Sequence, residues 1–273
     1  MNWDRARLLA SPWFASVRHL VERLPAAQFP VLDELNALAR ERNARSAGGA
    51  AIVFVPAGER GRELASHYEV RAFRAGEVQT RAESWHDLFN ALAWLAFPRT
   101  KATLNRLHHD EVVRRWGEPM RGTARDVLTL FDEGGVIVAC ANPVLGRLLE
   151  EFRWRELFWA RRADAVAAMS FFVFGHAILE LALAPYKAVT AKALVIDVPA
   201  ETLALRRAEL VDLLDSRAAE HFERPGALAS TRALHPLPVL GIPGWTAENE
   251  NPSYYDDDKV FRPGRIGARR IVT

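Results

Sequence analysis

AVAAMSFFVFGHAILELALAPY, residues 165–186, is the longest nearly uninterrupted apolar run in the chain. It holds one formal charge, Glu180, and one imidazole, His176, four residues apart. On a helix that spacing is one turn, which puts both side chains on a single stripe. The run therefore predicts one central helix over 164–184. A carboxylate ionised among hydrocarbon is costly unless it is partnered. Glu180 is thus expected to meet His176, a basic side chain from elsewhere, or a metal ion.

The same stretch could be roughly 33 Å long at about 1.5 Å per residue, enough to cross a bilayer. Arg161, Arg162 and Lys187 flank it like interfacial anchors. Against this, His176 and Glu180 would sit deep in hydrocarbon. No second segment of that length accompanies it, and the mean hydropathy is −0.09. A buried core helix is expected, and no membrane span.

The chain has 273 residues, 49% hydrophobic and 26% charged, enough for one large or two small domains. A net charge of +2 gives too weak a field to point to nucleic acid. Cys140 is the single cysteine. That excludes a disulfide scaffold and a cysteine-based zinc site. The opening residues, MNWDRARLLASPWFASV, lack the basic-then-apolar layout of a signal peptide, so a cytoplasmic location is expected. The eight tryptophans read as core and groove filling.

Residues 3–24 read as short amphipathic helices broken at Ser11-Pro12, and a further helix runs from Pro30 to about Asn43. Strands are expected over 51–55 and 193–198. Residues 68–80 and 127–141 read as two hairpins, the second turning at Asp132-Glu133-Gly134-Gly135. Helices are expected over 84–97, 98–116, about 142–161, and 199–222. The pattern gives an α+β, mostly helical single domain with a small antiparallel sheet built from hairpins and an extended C-terminal arm. The expected divisions are N-terminal helices over 1–48, the main body over 49–235, and an arm over 236–273.

Ser84 is a good N-cap, and Asp87 stands where a carboxylate closes a capping box. His86 and Asn90 share a stripe at the edge of that helix's apolar face. After Pro98, Lys101, Asn105 and His108 fall on one stripe of the next helix. Such a stripe is ordinarily a solvated face; its Asn and His allow the alternative, a cleft wall. Because Pro98 turns the chain, the two stripes could border one cleft beside His176 and Glu180. Asp256-Asp257-Asp258 could bind a cation or simply be solvated. No G-x-S-x-G, H-E-x-x-H, Walker loop or G-x-G-x-x-G occurs.

WHDLFNALAWLAFPRTKATLN, LTLFDEGG, FGHAILE, PLPVLGIPGW and YYDDDKVFR occur in that order. In these motifs the chain resembles an uncharacterised bacterial domain family of unknown function, from about residue 30 to 265. The resemblance implies a cytosolic bacterial protein and brings no activity with it.

Three functional readings remain open. A metal-assisted hydrolase would use His86, His108, His176 and Glu180 as ligands of Zn²⁺, Mn²⁺ or Fe²⁺. Asn90 and Asn105 would orient those ligands. A metal-free pocket for a small anionic ligand would use Lys101, Arg81 and Arg99, with Asn90 and Asn105 beside them. An interaction protein would present Arg114-Arg115, Arg161-Arg162, Arg206-Arg207 and Arg269-Arg270. In that last case His176–Glu180 is only a buried structural pair.

Overall fold

Residues 162–181 form a helix, a strand and a second short helix, not the single helix expected over 164–184. The computed structural model describes residues 2–58, 61, 63–117 and 122–264. In chain order the elements begin with α1 (Arg5–Ala10), α2 (Arg18–Val21), α3 (Leu32–Glu41), β1 (Val53–Pro56), α4 (Tyr68–Ala75) and β2 (Glu77–Thr80). Next come α5 (Trp85–Ala96), α6 (Pro98–Arg114), α7 (Thr123–Gly134), β3 (Gly135–Cys140) and α8 (Pro143–Glu150). A π-helical turn, Glu156–Ala160, leads into α9 (Arg162–Ala168), β4 (Met169–Val173) and α10 (His176–Leu181). The last elements are β5 (Thr190–Asp197), α11 (Arg207–Glu223) and β6 (His235–Pro238).

The break in the apolar run has a local cause. MSFFV is rich in aromatic and β-branched side chains, which suit a pleated surface. It pairs antiparallel with β3, Phe172 opposite Ile137. Gly175 then brings two backbones together. A Cβ there would collide with the Glu133 carbonyl and lie 2.5 Å from the Gly135 nitrogen. The amides of Phe174 and Gly175 both donate to the Gly135 carbonyl, at 3.0 and 2.8 Å. Periodicity cannot separate a buried helix from a buried strand in such a run; composition and glycine decide it here.

The fold is α+β and mostly helical, as expected, but its sheets are not built from hairpins. One sheet has the order β4-β3-β5-β6, with β3 and β5 parallel and the outer pairs antiparallel. The other is β1 paired in parallel with β2. Residues 68–80 form α4 and β2, joined by Gly76 at φ 70°. Residues 127–141 form most of α7 and then β3, so Asp132 lies in the last turn of a helix. Alternation by twos over a few residues also fits one face of a short amphipathic helix, and tertiary packing chose the helix in both places.

The paired helices α5 and α6 were legible. Ser84 caps α5, its hydroxyl accepting from the Asp87 amide at 3.3 Å. Asp87 through Ala96 are all buried. Pro98 opens α6, whose first amides need acceptors. The fully buried Asp215 on α11 supplies them, accepting from Arg99 N–H at 2.9 Å and Thr100 N–H at 2.7 Å. After β6 the chain runs in short 3₁₀ turns tied to the body. Lys187 pairs with Asp257 at 2.9 Å, Arg155 with Asp256, and Arg162 with Glu250. Among the described residues no helix is long and apolar enough to cross a membrane.

Candidate functional site

The close approach of Gly175 to the α7–β3 junction places His176, the first residue of α10, beside Asp132 in the last turn of α7. The His176 Nδ1 lies 3.8 Å from Asp132 Oδ2. On its other side His176 meets His86 edge-on, with ring centroids 4.6 Å apart and planes at 82°. The Nδ1 of His86 is 2.9 Å from Glu180 Oε2, one turn along α10. From Asp132 the network continues inward. Lys101 Nζ donates to Asp132 Oδ1 at 2.6 Å and to Asn90 Oδ1 at 2.9 Å. Asn90 Nδ2 donates to the Tyr68 hydroxyl at 3.0 Å, and Trp94 Nε1 reaches the same oxygen at 3.4 Å. Lys101 also stands 5.4 Å from the Trp94 ring centre, a cation–π distance.

The network is graded from dry to wet. The Lys101 side chain is 4% exposed and that of His176 8%, whereas His86 and Glu180 are 37% and 44% exposed. Burial would push Asp132 up, but the Lys101 ammonium and the neighbouring His176 outweigh it and hold the carboxyl below its ordinary range. Burial lowers His176 to about 4, against the opposing pull of Asp132, so its ring is neutral at physiological pH. Burial, and then the Glu69 carboxylate, raise Tyr68, which keeps its proton.

Glu180 does not carry the buried charge expected of it: α10 is short, and its carboxylate reaches the surface. Among the described residues the acidic and basic side chains that are buried are instead Lys101, Asp87 and Asp215, and Lys101 meets the half-buried Asp132. The Lys101, Asn105 and His108 stripe is buried, not solvated. Asn90 and Lys101 do bring the stripes of α5 and α6 together. Asn105 turns away to Glu69, donating to its carbonyl at 3.1 Å and its carboxylate at 2.7 Å. His108 is near enough to influence Asp132, but its buried Nδ1 has no partner among the described residues. Among those residues no group of three or more His, Cys, Asp or Glu side chains is arranged to hold a metal ion.

The arginines expected to serve an anion are engaged elsewhere. Asp87 does not close a capping box. Its carboxylate accepts from the Arg81 amide at 2.7 Å and from the Arg81 guanidinium at 2.8 and 2.9 Å. Arg99 faces Asp215 at 3.7 Å. Of the basic doublets, Arg114, Arg161 and Arg206 pair locally with Glu111, Asp164 and Glu209, Arg162 pairs with the distant Glu250, and Arg207 lies over the Phe172 ring. Arg269-Arg270 lies outside the described residues. Sequence reasoning missed Asp132, hidden in what read as a turn, and Tyr68, hidden in what read as a strand. The motifs LTLFDEGG and FGHAILE did contain the signal, since their glycines are the residues that let the two segments touch.

No curated protein and no solved structure gives a match to the chain. A family model described as Protein of unknown function (DUF3025) matches residues 52–265, a span that contains every residue of the network. The chain therefore belongs to this family of unknown function.

Proposed function

We propose that this network is a proton-transfer site of a hydrolase that needs no metal ion, with His86 as the general base. The observation that carries the reading is the 2.9 Å contact between His86 Nδ1 and Glu180 Oε2. A carboxylate on Nδ1 fixes the tautomer, so Nε2 holds the basic lone pair. Glu180 also stabilises the imidazolium formed when His86 takes a proton from water or a substrate hydroxyl. His176 is kept neutral and braces the His86 ring from the buried side. Asp132, held by Lys101, stands 3.8 Å from His176 Nδ1, beyond direct hydrogen-bond distance, and acts on the ring through its charge. Tyr68, protonated and already accepting two N–H groups, retains its own O–H as a donor.

The charge balance indicates the substrate class. Lys101 is matched by Asp132 and Arg81 by Asp87, while Glu180 adds one further carboxylate. A site with its cations already paired is poorly suited to an anion, so a neutral ester or amide fits better than the small anionic ligand expected from the sequence. The hydrolytic class is retained and the ion is left out of the proposal, since among the described residues no group of three or more His, Cys, Asp or Glu side chains is arranged to hold one.

The test is turnover of a panel of neutral chromogenic esters and amides by the wild type, His86→Ala and Glu180→Gln. The expected result is turnover of at least one class that both variants lose while their melting temperatures hold. Turnover indifferent to both substitutions contradicts the assignment.

A further inference from the structure

A concavity of about 480 Å³ shares no lining residue with the His86 network. It lies between α2, α9, β4 and the Ile242–Trp245 segment. Met169, Phe171 and Trp245 give it apolar walls, and two guanidinium groups, Arg18 and Arg207, border it. No carboxylate is among its described lining residues. This is unusual for the chain, where Arg42, Arg71, Arg81 and Arg162 all pair with acids. The Arg18 guanidinium has no hydrogen bond or ion pair among the described residues. Arg207 packs only over the Phe172 ring, 5.7 Å from its centre.

The strand bordering the groove adds a backbone donor. β4 is the outer strand of its sheet. Along an antiparallel ladder, alternate residues turn their N–H and C=O groups inward and outward. The Phe174 amide bonds the Gly135 carbonyl, so Phe174 and Phe172 face β3 while Val173 and Phe171 face out. The Val173 carbonyl is taken by the Ser16 hydroxyl at 2.5 Å. The Phe171 amide remains on the open edge, next to the half-buried Ser170.

We propose that this groove binds a small organic carboxylate with an apolar body. Two unmatched guanidinium groups and an edge amide are donors of the geometry that carboxylates accept. The apolar walls suit a hydrocarbon or aromatic remainder. A carboxylate also costs less to take partly out of water beside such walls than a phosphate dianion does.

The experiment titrates the full-length protein with 4-phenylbutyrate, and separately with its neutral counterpart 4-phenylbutanamide, followed by amide NMR shifts. The acid should bind saturably, with shifts centred on Arg18, Ser170, Phe171, Arg207 and Trp245. The amide should bind about tenfold more weakly, the order expected for loss of one charge-assisted hydrogen bond. Arg18→Gln and Arg207→Gln should each weaken the acid to a similar degree. Arg207→Lys, which keeps the charge, should retain most of the affinity and guards against a merely structural effect. The proposal is overturned if acid and amide bind equally, if both Gln variants keep wild-type affinity, or if the acid gives no saturable shift.

Discussion

His86 and Glu180 are 94 residues apart in sequence, yet Nδ1 and Oε2 stand 2.9 Å apart across the α5–α10 contact. Both side chains are more than a third exposed, so the pair adds little to stability. Glu180→Ala should destabilise by less than about 1 kcal/mol in urea unfolding. The same substitution should lower turnover of a responsive substrate substantially. General-base catalysis is worth about 10²–10⁴-fold, and His86→Ala should lose most of it. Equal loss of stability and activity would make the pair structural.

Lys101 and Asp132 should behave in the opposite way. Asp132→Ala strands an ammonium whose side chain is 4% exposed, and should cost about 3–5 kcal/mol. Asp132→Asn, which can still accept from Lys101, should cost less. Asp132 titrates below its ordinary value, so its contribution is present above the ordinary carboxylate range and is lost as pH falls through the folded value. The gap between wild type and Asp132→Ala should therefore narrow on acidification. A gap that stays constant or widens would mean that Asp132 is not held ionised by Lys101.

Much of the site was legible because it rests on helices with clear ends. Ser84 and Pro98 marked the bounds of α5 and α6, which fixed the relative positions of His86, Asn90 and Lys101. What failed was the reading of short elements. Residues 68–80 and 127–141 alternate as strands do, but only long-range packing decides between helix and strand at that length. Asp132 became visible as a site residue only once Lys101 was seen to reach it. Glu180 was misread because a 22-residue apolar run suggests one long helix, whereas Gly175 and MSFFV divide it and bring residue 180 to the surface.

His176 gives a pH signature. Its folded value is depressed from 6.5 to about 4 by burial, so the unfolded chain binds the extra proton between those values. Stability should be full above the unfolded imidazole value and fall as pH drops toward 4, by about 3 kcal/mol at most. His19, His221 and His235 are lowered by burial in the same sense, so the comparison is with His176→Gln. That variant should show a visibly shallower slope in thermal melts across this window. An unchanged slope would show that His176 is not the neutral, buried ring described.

Gly175→Ala should be among the most damaging small substitutions in the chain. Its methyl group would meet the Glu133 carbonyl and the Gly135 nitrogen, both backbone atoms that cannot swing aside. A cost above about 2 kcal/mol is expected, with His176 displaced from Asp132. Ala168→Gly, at the end of α9 and away from this contact, is the control for backbone flexibility. If Gly175→Ala melted like the wild type, the close approach that builds the site would be wrong.

The central claim is that Glu180 holds His86 as a base with its lone pair on Nε2. Long-range ¹H–¹⁵N spectra of histidine side chains report the tautomer of each neutral ring directly. Above the imidazole titration range, His86 should carry its proton on Nδ1 in the wild type and shift toward the Nε2–H form in Glu180→Ala. A wild-type His86 already protonated on Nε2, or a tautomer unmoved by Glu180→Ala, would contradict the account.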